Sequence, residues 1–142
     1  MKLLLINQTS TRVQKKWMIG WLSRLTFELK KRRVARLAGK ELVVVLVERP
    51  EIRRLNRLYR GKDKATDILS FQGSDEDSVG ELVICPAVLR EQAKRTGLTP
   101  RAEMGYMIIH GVLHLLGYDH ERPTQERRMF ALQDAIFAKV NH

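Results

Sequence analysis

A helix that is apolar on nearly every side, yet carries two histidines one turn apart, constrains this chain more than any other stretch. Thr99 followed by Pro100 marks its start, a hydroxyl N-cap with proline in the first turn. Met104, Met107, Ile108, Ile109, Val112, Leu113, Leu115 and Leu116 leave little polar surface, so the helix has to be buried against a sheet. His110 and His114 lie four apart and share one face. Gly117 supplies the left-handed residue that commonly ends a helix, and Tyr118-Asp119 bring His120 back toward the other two. Three neutral imidazoles converging on a point suit Zn²⁺, with a fourth position left open. An open position on a three-ligand zinc points to catalysis. The negative end of the helix dipole also favours a cation there.

The spacing is that of the long zincin pattern, H-x-x-x-H-x-x-G-x-x-H. One residue departs from it. Gly111 stands where a metalloprotease carries the glutamate that acts as general base. The metal cage is present and the protease base is missing. The alternative, core histidines hydrogen-bonded within a helical hairpin, is weakened because three of the chain's four histidines fall in this one stretch. The fourth, His142, reads as a frayed end.

A length of 142 residues suggests one domain with a real core. No stretch approaches the roughly 18 apolar residues of a membrane span. The opening Met-Lys-Leu-Leu-Leu-Ile stops at Asn7, short of the roughly 7–15 apolar residues of a secretory core, and reads as a first strand. Cys85 is the only cysteine, which excludes an intrachain disulfide and fits a reducing, cytoplasmic setting. Charge says more. Met1–Lys64 holds 18 Lys and Arg against 5 Asp and Glu, while Ala65–His142 holds 8 against 11. The net +10 is therefore +13 in the first half and −3 in the second. So basic a face is the footprint of a polyanion, and beside a hydrolytic-looking metal site it points to nucleic acid. The basic helices carry no lipid-anchoring signal, so a membrane is not expected as partner.

The rest of the chain reads as an α+β single domain, a small mixed sheet with helices packed on it. Lys2–Asn7 is a strand. Thr9-Ser10-Thr11 offer N-caps for a helix whose Val13, Trp17, Trp21, Leu25 and Leu29 face the core, closed by Lys30-Lys31-Arg32-Arg33. Leu42–Val47 is a buried strand. Pro50 opens a helix to about Tyr59, with Ile52, Leu55 and Leu58 inward and Arg53, Arg54 and Arg57 outward. Arg60–Lys64 is a polar loop, Asp67–Phe71 a strand, Gly73–Ser78 an acidic turn and Glu81–Cys85 its partner strand. Pro86 opens a helix that Gly97 ends, and Pro123-Thr124 begin a last one with Met129, Leu132, Ile136 and Val140 inward.

Two stretches together resemble the YbeY family. Leu55-Asn56-Arg57-Leu58-Tyr59-Arg60-Gly61-Lys62-Asp63-Lys64-Ala65-Thr66-Asp67-Ile68-Leu69-Ser70-Phe71 is similar to its loop-and-strand signature, and His110–His120 matches its histidine motif at every histidine and glycine. The likeness runs from about Leu42 to the end of the last helix. It departs at Ala65 and Gln72, where the family often has proline, and at Glu81, where aspartate is frequent. The resemblance implies a single-strand-specific endoribonuclease of ribosomal RNA maturation and ribosome quality control. It implies one zinc per chain on His110, His114 and His120, with Arg60 and His110 as catalytic residues and Arg60 facing the metal. RNA would lie on Arg53, Arg54, Arg57, Arg60, Lys62 and Lys64. The partners expected are single-stranded or ribosomal RNA and the ribosome or its proteins, not DNA. Arginine suits the work, since its planar fork can hold two phosphate oxygens as charge builds. The general base stays unassigned, with Glu81 and Asp119 as candidates.

Two rival readings stand beside this one. A metal-dependent amidase or protease would explain the histidines, but neither Gly111 nor the basic half. A non-catalytic, zinc-stabilised RNA-binding assembly factor would need no turnover at all.

Overall fold

The fold described here is a computed structural model, and it describes residues 1–119 and 121–141. The elements run β1 (Lys2–Asn7), α1 (Lys15–Lys31), β2 (Glu41–Leu46), α2 (Arg49–Arg60), β3 (Ile68–Phe71), β4 (Ser78–Ile84), α3 (Pro86–Thr96), α4 (Pro100–Leu115) and α5 (Pro123–Val140). The strands form one sheet in the order β1-β2-β4-β3. β1, β2 and β4 are parallel, and β3 pairs antiparallel with β4 at the edge. This is the expected α+β domain with a mixed sheet.

Alternation along the strands divides the core between the two faces. Leu42, Val44 and Leu82 point to one side, where they pack with α1, α4 and α5 through Met18, Trp21, Ile108, Val112, Met129 and Ile136. Val83, Leu69 and Cys85 point to the other, where α2 covers them with Ile52. Cys85 is buried there as a free thiol, and no ordinary reagent reaches it.

Two glycines let α4 lie against the sheet. A Cβ on Gly111 would come within 2.6 Å of Leu82 Cδ2 and 2.9 Å of Ile68 Cδ1. A Cβ on Gly80, at φ 135°, would meet Leu115 and the Phe71 carbonyl at 2.7 Å. Leu115 over Gly80 and Gly111 over Leu82 make α4 antiparallel to β4. Its start sits at the carboxyl end of that strand. Thr99 caps it as expected, its side chain accepting from the Ala102 N–H at 3.1 Å. The buried face is wide, with Met104, Met107, Ile108, Ile109, Val112, Leu113 and Leu115 all inside.

Three expectations shift. The hydroxyls of Thr9 and Thr11 do not cap α1; Gln14 occupies that position with no side-chain bond, and Thr9 is spent on Asn7 and Thr11 within the loop. On α2 the inward stripe is Ile52 and Asn56, with Leu55 half-buried, while Leu58 stands 63% exposed. Period 3.6 put Leu58 on the stripe, but in the last turn of α2 it is Tyr59 that meets the sheet, its ring centroid 5.1 Å from that of Phe71. Arg32, one of the four basic residues closing α1, is held by Glu28 at 2.9 Å.

Candidate active site

The last turns of α4 carry His110 and His114 side by side, their Nε2 atoms 3.1 Å apart and their ring centroids 4.6 Å apart. His110 Nδ1 lies 3.0 Å from Gln133 Oε1. That oxygen can only accept, so Nδ1 carries the proton and the Nε2 lone pair faces His114. Gln133 itself cannot flip without loss, because its Nε2 donates to the Tyr106 carbonyl at 3.2 Å. It is wholly buried on α5. A buried amide fixing the ring from behind is the support that metal-binding histidines commonly have.

These residues fit a zinc ion. Two ligand nitrogens of a tetrahedral zinc stand about 3.3 Å apart, given Zn–N distances of about 2.0–2.1 Å. His110 and His114 come within a few tenths of that. His120, the third expected ligand, lies outside the described residues, as does His142. Among the described residues no third His, Cys, Asp or Glu completes a metal set with them.

The histidines open into a cleft of about 380 Å³ that Arg60, Thr66, Asp67, Ser70, Tyr106 and Phe130 also line. Arg60 is the last residue of α2, and Gly61 ends that helix in the left-handed region at φ 69°. Arg60 borders a second, adjoining hollow with Lys62, His114, Tyr118 and Asp119. The fold therefore brings Arg60 and the two histidines to one place, although they are fifty residues apart in sequence.

Asn56 holds the loop that follows Arg60. It is 2% exposed, and its Nδ2 donates to the Lys64 carbonyl at 2.9 Å while its backbone carbonyl accepts from the Lys62 N–H at 3.3 Å. Asp63 adds an outer clasp, accepting from Arg53 Nε at 2.9 Å and Nη2 at 3.2 Å. Arg53 holds the Asp63 carboxyl below its ordinary value by that hydrogen bond, and its own guanidinium is raised in return. Both groups are fully exposed, so the pair orders the loop more than it stabilises the fold.

The basic face is less free than its composition suggests. Arg53 is paired with Asp63, Arg54 with Glu51 at 2.6 Å, and Arg57 stands 3.9 Å from Asp63. Lys62 and Lys64 are exposed beside them. Tyr106 donates to Asp134 at 2.7 Å, and burial first, then that bond, raises its phenol.

The two general-base candidates separate. Glu81 alternates with Gly80 and Leu82, the residues under α4, so its side chain lies on the opposite face of the sheet from the histidines. Asp119 lines the adjoining hollow with His114 and accepts from the Glu121 N–H at 3.1 Å. Sequence reasoning missed Asp67, whose carboxylate is in the cleft and accepts from Ile68 N–H at 2.7 Å, Gln92 at 3.1 Å and Thr66 at 3.2 Å. It also missed Gln133 and Asn56. The signal for both was a polar residue on an otherwise apolar inward stripe.

The family model described as "Endoribonuclease YbeY" matches residues 5–141. A protein of that name from Bdellovibrio bacteriovorus is 44% identical over 140 residues, covering 96% of this chain and 93% of its own. Another, from Staphylococcus epidermidis, is 38% identical, covering 82% and 84%. The solution structure of the Thermotoga maritima protein TM1509 superimposes with a TM-score of 0.66 at 31% identity, over 97% of this chain and 88% of that one.

Proposed function

This chain belongs to the YbeY family of endoribonucleases, and on that premise we propose that it cuts single-stranded RNA in ribosomal RNA maturation and ribosome quality control. In this reading His110, His114 and His120 hold one zinc ion, and Arg60 stabilises the phosphoryl group in transit. The observation that carries it is the meeting of His110, His114 and Arg60 in one cleft.

Zinc, when bound, supplies Lewis acidity toward a phosphoryl oxygen and toward water. Gln133 keeps the His110 proton on Nδ1, so the other ring nitrogen stays available as a ligand. Arg60 extends from a helix end into solvent, where its fork can take two non-bridging oxygens of a phosphate. Asn56 and Asp63 set the position of that fork by holding the loop behind it. Lys62 and Lys64 draw the backbone in.

The peptidase alternative fails on packing. A side chain at position 111 would run into Leu82 and Ile68, so the place of a zincin's glutamate faces the sheet. Substrate RNA, the ribosome as working partner and a cytoplasmic setting complete the reading. Among the described residues no helix is long and apolar enough to cross a membrane. Bound zinc and single-turnover cleavage of a defined single-stranded RNA, measured on wild type and His114→Ala, test it. The variant should lose metal and cleavage together, and some stability with them. Stoichiometric zinc in the variant would show the ligand set to be wrong, and zinc-loaded wild type that cuts no RNA would favour the assembly-factor alternative.

A further inference from the structure

At the end of α4 away from the histidines lies another cleft, of about 620 Å³. It sits outside the carboxyl ends of β1 and β4, the two strands that flank β2 in the sheet. α1, α3 and α4 all begin at its walls. Arg12, Arg90 and Arg101 line it, and no Asp or Glu does among the described residues.

Two of these arginines bond neutral oxygens. Arg90 Nη1 donates to Thr11 Oγ1 at 2.7 Å, and Arg101 Nη2 donates to Gln14 Oε1 at 3.1 Å. The Arg101 guanidinium also lies over the Trp17 ring, 5.2 Å from its centroid. The loop between β1 and α1 is tied together by its own side chains. Asn7 Oδ1 accepts from the Thr9 N–H and hydroxyl at 2.9 and 2.7 Å, and Asn7 Nδ2 donates to the Thr11 carbonyl at 2.8 Å. A wall already ordered adds little entropic cost to binding.

We propose that this cleft binds a nucleoside phosphate, its phosphate on Arg12, Arg90 and Arg101 and its base stacked against the Trp17–Arg101 pair. Three cations with no carboxylate beside them in the lining, among the described residues, call for an anion. The stacked indole and guanidinium call for a flat, π-bearing one. An incoming phosphate would replace bonds to the neutral oxygens of Thr11 and Gln14 with bonds in which donor and acceptor are both charged. The same unit could come as a free nucleotide or as one residue of an RNA strand.

The test uses the full chain with adenosine monophosphate, adenosine, inorganic phosphate and a short oligoadenylate, followed by calorimetry and tryptophan fluorescence. Trp21 is only 1% exposed, so quenching reports Trp17 and should vanish in Trp17→Phe. Adenosine monophosphate should bind about tenfold or more tightly than adenosine or phosphate alone. Arg90→Gln combined with Arg101→Gln should weaken it by a similar factor, and Arg12→Gln, on the exposed loop, in the same direction by less. Equal affinity for the monophosphate and the oligoadenylate would mark a mononucleotide site; a tighter oligoadenylate would mark one residue of a strand. Nucleotide binding that ignores all three arginines, binding that Arg60→Ala abolishes, or no binding by any probe would overturn the proposal. Should the double variant fail to fold, Arg12→Gln decides.

Discussion

Gln133 of α5 and His110 of α4 are joined by a single hydrogen bond of 3.0 Å that fixes which imidazole nitrogen can meet a metal. Its partner bond, from Gln133 Nε2 to the Tyr106 carbonyl, anchors the amide to the same helix one turn earlier. The last helix thereby sets the tautomer of His110, the first of the proposed ligands.

Gln133→Leu should therefore lower zinc affinity about 10–100-fold, the usual cost of losing a partner behind a ligand histidine. Gln133→Glu keeps an acceptor for Nδ1–H and should retain most of the affinity. Chelator competition on both variants reads the difference. A merely structural Gln133 would give two unstable variants with unchanged zinc affinity in the folded fraction, and that outcome would sink the assignment.

Gly111 bears on both fold and chemistry. A methyl group there meets Leu82 Cδ2 at 2.6 Å, so Gly111→Ala should destabilise the protein by about 1–3 kcal/mol, as overpacking does. Urea unfolding measures it. Gly111→Glu should be worse and should gain no peptide hydrolysis, since the carboxylate would point into the sheet. A stable, zinc-loaded Gly111→Glu would show that α4 can lift away.

The local rules carried far in this chain because most elements obey them. Proline at the start of α2, α3, α4 and α5, and left-handed glycine after α2 and α3, mark boundaries that the fold reproduces within a residue or two. The histidine pair was legible for the same reason, since helical spacing alone puts His110 and His114 together. What was not legible depends on long-range packing. Leu58 fits the period of α2, yet no second layer reaches it. Glu81 is near the site in sequence logic but on the wrong face, a consequence of strand alternation once Gly80 and Leu82 are under α4. Gln133 stands out as a polar residue on an apolar stripe, but it reaches His110 only because α5 folds back on α4, and no local pattern states that.

Salt and acid should separate the roles of the basic residues. Binding of single-stranded RNA should fall steeply with salt, by a slope of about 0.7 per phosphate contact. Lys62→Ala and Lys64→Ala should flatten that slope more than Arg54→Ala, whose charge Glu51 already offsets at 2.6 Å. A flat slope in the wild type would indicate a substrate without phosphates.

Asp63 gives the acid limb. Its carboxyl titrates below the ordinary 3.8 because Arg53 donates to it. The pair's contribution to loop order is thus complete above that value and is lost as pH falls through the lowered one. Arg53→Ala should move the Asp63 titration up to the ordinary range, read by carboxyl NMR, and should loosen Lys62–Lys64. An unmoved Asp63 would show that the 2.9 Å contact does not persist in solution.

Arg60 decides between an enzyme and a scaffold. It shares the cleft with His110 and His114, and it is one positive charge among the 18 Lys and Arg residues of the first half. As a binding charge it would matter little, and Arg60→Ala should keep fold, zinc and most RNA affinity. As a donor set in advance toward charge that grows on the phosphoryl group, it matters far more, and its loss should slow single-turnover cleavage about 10²–10³-fold. Arg60→Lys should restore little, because an ammonium cannot offer two parallel donors in a plane. Asn56→Ala offers a control from behind the loop. It removes the 2.9 Å bond to the Lys64 carbonyl, and it should reduce the rate by loosening the loop that positions a guanidinium still present. Rates, zinc content and RNA affinity belong on the same preparations, so that a lost metal is not mistaken for a lost arginine. Cleavage by Arg60→Ala at the wild-type rate would remove Arg60 from the chemistry and leave the histidines to act without it.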